Sequence, residues 1–152
     1  MTGFEYASLI ARYILKNFGN RCLRVYREVG VGKTIIGKNR RIDILVVNEE
    51  LNEALALECK YQESAGTVDE KIPYALDDMH AMQMHGYIIY AGNGFSDGVI
   101  HMLQSSEIAA FCLPDSETLE RNVDTRELDH ILAQMFRWWD ILTEGKKPFS
   151  IE

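Results

Sequence analysis

Two acids and a lysine interrupt stretches that are otherwise apolar. Asp43 lies inside RIDILVV (41–47), and Glu58 and Lys60 close ALALECKY (54–61). Successive side chains of a strand point to opposite faces, so Glu58, Lys60 and Gln62 share a face with Ala54 and Ala56. Leu55, Leu57 and Cys59 take the other. A carboxylate and an ammonium at the end of an apolar strand lower stability unless they are paired or hold an ion. If the two strands are neighbours, Asp43 and Glu58 converge to coordination distance. Mg²⁺ takes oxygen ligands from one or two carboxylates and keeps waters for a phosphate, and Mn²⁺ is a natural substitute. Lys60 beside such a water orients it or lowers its pKa, chemistry suited to hydrolysing a phosphate ester.

The tripeptide alone says little. Acid-x-Lys occurs three times, at Glu58-Cys59-Lys60, Asp69-Glu70-Lys71 and Glu144-Gly145-Lys146. Only the first ends an apolar strand preceded by a second apolar strand carrying an Asp. Asp69 and Lys71 fall at a helix start, where acids suit the dipole, and Glu144 and Lys146 sit in a polar tail. The plain alternative for 58–60 is a structural Glu–Lys pair at a strand edge.

The elements that must position these residues follow from periodicity. Thr2 and Glu5 have capping-box spacing, and apolar residues from Phe4 to Phe18 keep helical spacing until Gly19-Asn20. Residues 22–29 alternate as a strand. GVGKTIIGKNRR reads as a mobile, hairpin-like connection, followed by strands at 41–47 and 54–61. A helix is expected over 68–84, with Pro73 near its first turn. GYIIYAG (86–92) is a short buried strand ending in the Gly92-Asn93-Gly94 turn. A helix near 97–104, a strand near 109–113 and a helix over about 125–142 complete the chain. The order αβββαβαβα implies an α/β domain, one mixed sheet flanked by helices.

At 152 residues, 47% apolar and 26% charged, the chain reads as a single globular domain over 1–152. No apolar run approaches a membrane span, and the start MTGFEYASLI has no secretory pattern. Three scattered cysteines without CxxC spacing favour reduced thiols and a cytoplasmic protein. The net charge of -7 is uneven. Residues 1–42 hold nine basic and two acidic groups, a net of +7, and the remainder holds seven basic and 21 acidic, a net of -14. The basic segment is either a solvated face or a footprint for phosphates.

Taken together, Asp43 about fifteen residues ahead of Glu58-Cys59-Lys60, behind a first helix bearing Glu5, resembles the PD-(D/E)XK nuclease superfamily. That superfamily includes restriction endonucleases and Holliday junction resolvases. The likeness covers roughly residues 3–95, and it implies a restriction-endonuclease-like αβββαβ core. Residue by residue, it implies Asp43 and Glu58 as metal-binding acids, with the Cys59 backbone carbonyl beside them, and Lys60 as the catalytic lysine. Gln62 matches the polar residue two positions on, and Glu5 the first-helix glutamate that completes the metal shell in some branches. Gly66-Thr67-Val68-Asp69-Glu70-Lys71 is similar to the G-T-x-x-E-K stretch of some restriction-type members. Ile42, not Pro, precedes Asp43, a departure from the pattern.

The expected activity is Mg²⁺-dependent endonucleolytic cleavage of DNA by a restriction-type, mobile-element or phage enzyme acting as a homodimer or homotetramer. A structure-selective Holliday junction resolvase is the alternative enzyme, with branched rather than simple double-stranded DNA as substrate. A non-catalytic DNA-binding module on the same fold is the alternative of another class. Lys33, Lys38, Arg40 and Arg41 are candidate phosphate contacts, or else an exposed basic loop without a role. Glu5 also serves as a capping acid, and Gln62 as an ordinary strand-end residue.

Other signals are weaker. GVGKT fails as a phosphate loop because Arg27 stands where the first glycine belongs and no helix follows Thr34. His80 and His85, five apart, do not share a helix face. Met79, Met82 and Met84 read as packing at a core or dimer face. Trp138 and Trp139 read as core or interface.

Overall fold

The computed structural model describes residues 1–151. The first helix, α1 (Gly3–Phe18), begins at the predicted capping box: the Glu5 N–H donates to Thr2 Oγ1 at 3.1 Å and the Thr2 N–H to Glu5 Oε2 at 2.8 Å. Three strands follow as an antiparallel meander, β1 (Leu23–Lys33), β2 (Asn39–Asn48) and β3 (Glu53–Tyr61). Helix α2 (Val68–Ala81) then crosses over to β4 (Gly86–Ala91), which lies parallel to β3. Helix α3 (Asp97–Ser105) leads to β5 (Ala109–Phe111), parallel to β4, and α4 (Arg126–Phe136) and α5 (Trp139–Leu142) finish the chain. The sheet order is β1-β2-β3-β4-β5. This is the mixed α/β sheet of a restriction-endonuclease-like core. No described helix is long and apolar enough to cross a membrane.

Alternation along β3 divides the interior in two. Leu55, Leu57 and Cys59 pack with α1 and α4 on one face, whereas Ala56 packs with Ile72, Leu76 and Met79 of α2 on the other. Fully burying a Leu or Ile contributes about 1.5–3 kcal/mol, so the strand that carries Glu58 and Lys60 is fixed by its apolar residues.

Three expectations change. The glycine-rich stretch is not an open connection, because β1 runs on to Lys33 and pairs Val29↔Ile42, Gly30↔Arg41 and Lys33↔Asn39. Residues 23–48 thus form one long hairpin whose turn lies at 34–38. Helix α2 stops at Ala81 rather than 84, because Met82 turns extended and is buried beside Gly86. The terminal helix breaks at Arg137, which adopts φ 64. That break turns Trp138 inward onto Phe18, with ring centroids 5.1 Å apart, and leaves Trp139 exposed. Met79 and Met82 are core residues, as their composition suggested.

The end of β3 is seated by glycines. The Gln62 N–H donates to the Ala91 carbonyl, and the Gly94 N–H donates to the Gln62 carbonyl at 2.8 Å. Gly92 sits at φ +108, and a Cβ there would collide with that Gln62 carbonyl. Gly92→Ala is therefore expected to lower stability by about 3 kcal/mol, combining backbone strain with overpacking. Gly98→Ala, in a helix with nothing within 4 Å of its Cβ position, should be neutral or stabilising. Urea unfolding midpoints check both, and equal midpoints for Gly92→Ala and wild type would refute the packing argument.

Candidate active site

The site lies where two strands part. Pairing of β2 with β3 runs from Asn48↔Glu53 to Ile44↔Leu57 and stops there. Beyond it β3 keeps its partner on the other side, pairing with β4 from Ala56 to Tyr61. The Cys59 N–H, left without a strand partner on the β2 side, donates to Asp43 Oδ2 at 2.8 Å. Buried backbone donors need partners, and here a carboxylate takes the place of a carbonyl.

The parting has a cause in β1 and β2. Glu28 adopts φ 53, between the pairs Arg27↔Ile44 and Val29↔Ile42. On either side of this point the two strands exchange faces. Val25 and Ile44 belong to the first core, and Val29 and Ile42 to the second. Such a kink re-aims a side chain at the price of local strain. Arg27 secures it: its Nε donates to the Asp43 carbonyl at 3.2 Å, its Nη1 to Ser8 Oγ at 2.7 Å, and its guanidinium lies 4.9 Å from the Phe4 ring centroid.

Glu58 stands next to Asp43. Burial first, then a hydrogen bond with Asp43 and its charge, push the Glu58 carboxyl up from 4.5 to about 9, against the lowering pull of Lys60. A like charge beside a buried carboxyl disfavours its ionised form. Lys60 Nζ is 3.9 Å from Glu58 Oε1, beyond hydrogen-bond range. Their side chains are only 22% and 19% exposed. The two form a long, partly buried ion pair at the end of β3.

Gln62 is buried, and its Nε2 donates to the Gly94 carbonyl at 2.8 Å and to Asp69 Oδ1 at 3.4 Å. Its Oε1 is buried and has no hydrogen-bond partner among the described residues. Asp69, from the expected G-T-x-x-E-K stretch, also accepts from the Ser96 N–H, tying α2 to the turn after β4. Glu5 is not brought to the pair: its carboxylate is engaged at the exposed capping box. Lys33, Lys38 and Arg41 are exposed on the hairpin.

Arg40 departs from its expected place among the phosphate contacts. It is buried, and its Nε and Nη2 reach the Asp78 carboxylate of α2 at 3.1 and 2.9 Å. Such a fork is geometrically specific, and it leaves the guanidinium turned inward. Arg27 and Asp78 are the residues that sequence reading passes over. Nothing in the local pattern marks either, since their partners lie on other elements.

The family model of the PD-(D/E)XK nuclease superfamily domain matches residues 2–139. The chain belongs to the PD-(D/E)XK nuclease superfamily. Among solved structures, it is similar to a protein of unknown function designated AF1548, at 13% identity and a TM-score of 0.43, over 68% of this chain and 54% of that one. It is also similar to a repair endonuclease from Pyrococcus abyssi, at 15% identity and a TM-score of 0.38, over 67% of this chain and 44% of that one. The chain thus spans about half the length of the solved chains it matches. No curated protein matches the sequence.

Superfamily members generally use divalent metals, and the residues present fit one. Two carboxylates offer hard oxygen donors, and a dication between them would relieve the repulsion that raises Glu58. In the metal-free protein Glu58 holds a proton between pH 4.5 and about 9 that the unfolded chain has released. Stability should therefore fall as pH rises through that window. Unfolding midpoints in EDTA from pH 5 to 9 check this. Glu58→Gln should flatten the slope, and an unchanged slope would remove the assignment.

Proposed function

We infer that this chain is a divalent-metal-dependent DNA endonuclease, with Mg²⁺ as the working ion and Mn²⁺ as a substitute. The observation that carries the reading is the convergence of Asp43 and Glu58 where β2 leaves β3, with the Lys60 ammonium beside them in a long ion pair with Glu58. Asp43 and Glu58 would hold the ion, and the Cys59 carbonyl is the backbone oxygen nearest in sequence to complete its shell. The bound ion supplies charge neutralisation at the scissile phosphate and a more acidic water.

The chain's own residues do the rest. Asp43 is held at its carbonyl by Arg27 and at one carboxylate oxygen by the Cys59 N–H, so it meets a ligand already oriented. Lys60 would orient the attacking water and stabilise negative charge on the phosphate oxygens. A new bond from the water oxygen to phosphorus forms as the bond to the leaving sugar oxygen breaks. The attacking water gives up a proton to solvent and the leaving oxygen takes one from solvent, so that one water is added across the bond. Gln62 would act indirectly, its amide tying the end of β3 to Gly94 and Asp69. Lys33, Lys38 and Arg41 supply phosphate contacts on the hairpin. A homodimer or homotetramer would let two sites address two strands.

Asp43→Ala and Lys60→Ala should each lower the cleavage rate by about a hundredfold or more. Lys60→Ala should leave Mg²⁺ binding intact or tighter, because a nearby positive charge is removed. Supercoiled plasmid, linear duplex and a synthetic four-way junction, each with and without Mg²⁺, rank restriction-type against junction-resolving activity. Survival of all three with active protein and Mg²⁺ would sink the catalytic reading and leave the DNA-binding module. For binding, Lys33→Ala, Lys38→Ala and Arg41→Ala should each reduce the slope of log K against log salt by about 0.9. Arg40→Ala should act differently, lowering folding stability because Asp78 is left buried and unpaired. If Arg40→Ala only weakens DNA binding, its inward role is refuted.

A further inference from the structure

The tip of the β1–β2 hairpin carries a feature that phosphate binding leaves unexplained. The Gly37 N–H donates to the Thr34 carbonyl at 2.9 Å, so Ile35 and Ile36 are the central residues of a tight turn. Such positions ordinarily go to Asn, Asp, Gly or Pro. Here two adjacent β-branched apolar side chains are 49% and 61% exposed. Exposed Lys33 and Arg41 lie on the flanking strands and exposed Lys38 in the turn itself, and among the described residues none of the three has an ion-pair partner. An apolar patch rimmed by charge marks a contact surface.

The tip is also fixed. The Thr34 N–H donates to the Lys38 carbonyl at 2.7 Å, closing the turn. The Ile35 N–H donates to Asp78 Oδ1 at 3.1 Å, and Asp78 is itself locked to Arg40. Asp78 thus anchors the turn and its strand to α2 at one buried point. Two apolar side chains on a braced support, between cations, have the form of a wedge.

The geometry points to Ile35 and Ile36 as an apolar wedge that enters the base stack of duplex DNA while Lys33, Lys38 and Arg41 hold the phosphates on either side. This rests on the reading of the chain as a DNA nuclease. Side chains of this kind part base steps and bend the duplex, and cations beside them make the approach favourable. Ile36 is seven residues from Asp43, at most roughly 24 Å at ~3.4 Å per residue. That spans about seven base pairs at ~3.4 Å each, so the parted step lies within one helical turn of the bond at Asp43.

The test uses duplexes carrying 2-aminopurine at successive positions, with wild-type protein in EDTA and with Lys60→Ala in Mg²⁺. Bound protein should raise the fluorescence severalfold at one or two adjacent steps. Ile35→Ser/Ile36→Ser should abolish the rise and weaken binding about tenfold, with the salt slope unchanged. Ile35→Leu/Ile36→Leu should restore both, and circular dichroism melts should match wild type for each variant. Saturated binding without a rise at any position overturns the wedge and leaves the nuclease reading intact. So does a serine variant that binds and unstacks as wild type does. If the serine variant instead loses a concentration-dependent dimer in sedimentation, or loses binding to phosphatidylserine vesicles, while its DNA binding is unchanged, the occupant is a second copy or a membrane and the proposal fails. A fluorescence rise with no cleavage by wild type in Mg²⁺ sustains the wedge and removes the nuclease reading alone. Absence of DNA binding removes both.

Discussion

The hydrogen bond from the Cys59 N–H to Asp43 Oδ2 resolves a difficulty that the sheet creates for itself. A strand with buried residues on both faces must find partners for its backbone on both sides. The β3 strand has β4 on one side throughout its second half, yet β2 leaves it after Ile44↔Leu57. Had β2 stayed, a carbonyl would occupy this place and no opening would exist. With the Asp43 carboxylate there instead, the donor is satisfied, the carboxylate is fixed, and Glu58 is left facing a like charge. One bond thus closes a backbone vacancy and sets Asp43 beside Glu58.

Several other features follow from that parting. Glu28 in the left-handed region and the exchange of core faces at Ile42 and Ile44 let the hairpin swing away from β3. Arg27 braces the departing strand against α1, and the Arg40–Asp78 fork braces it against α2. The hairpin is therefore held from both layers of the fold. Asp78 also contributes, as the smallest of the named causes, to the raised proton affinity of Glu58. The support of the hairpin and the charge state of the site share a residue.

Much of this was legible in the sequence, and the part that was not has a common physical character. Period-two alternation in 54–61 placed Glu58 and Lys60 on the face opposite Leu55 and Leu57, because burial of those leucines dictates the strand's orientation. Thr2 and Glu5 declared the start of α1 because a capping box is local. The hairpin looked like a loop because glycine carries no packing signal, whereas its order comes from pairing across to β2 and from Asp78. The terminal helix looked continuous because Arg137 is an ordinary helical residue, and its break depends on Phe18 offering a surface to Trp138. Arg40 looked like its neighbours until Asp78, 38 positions away, claimed it. Local rules reveal what local forces decide, and long-range ion pairs lie outside them.

The same distinction bears on how a protein of net charge -7 could hold a polyanion. The basic first segment is less of a patch than its sum of charges implies. Arg21 is paired with Asp140, Arg24 with Glu49 and Arg40 with Asp78, and Arg27 is turned to Asp43 and Ser8. What remains in the hairpin is the group of Lys33, Lys38 and Arg41, none with an ion-pair partner among the described residues. At physiological salt, charges more than about 8 Å apart in solvent hardly sense one another, so the group is governed by its surroundings and not by the total. Net charge then reports on the solubility of the whole chain, and on the proposed reading the attraction for phosphate would be a property of one braced element and not of the sum.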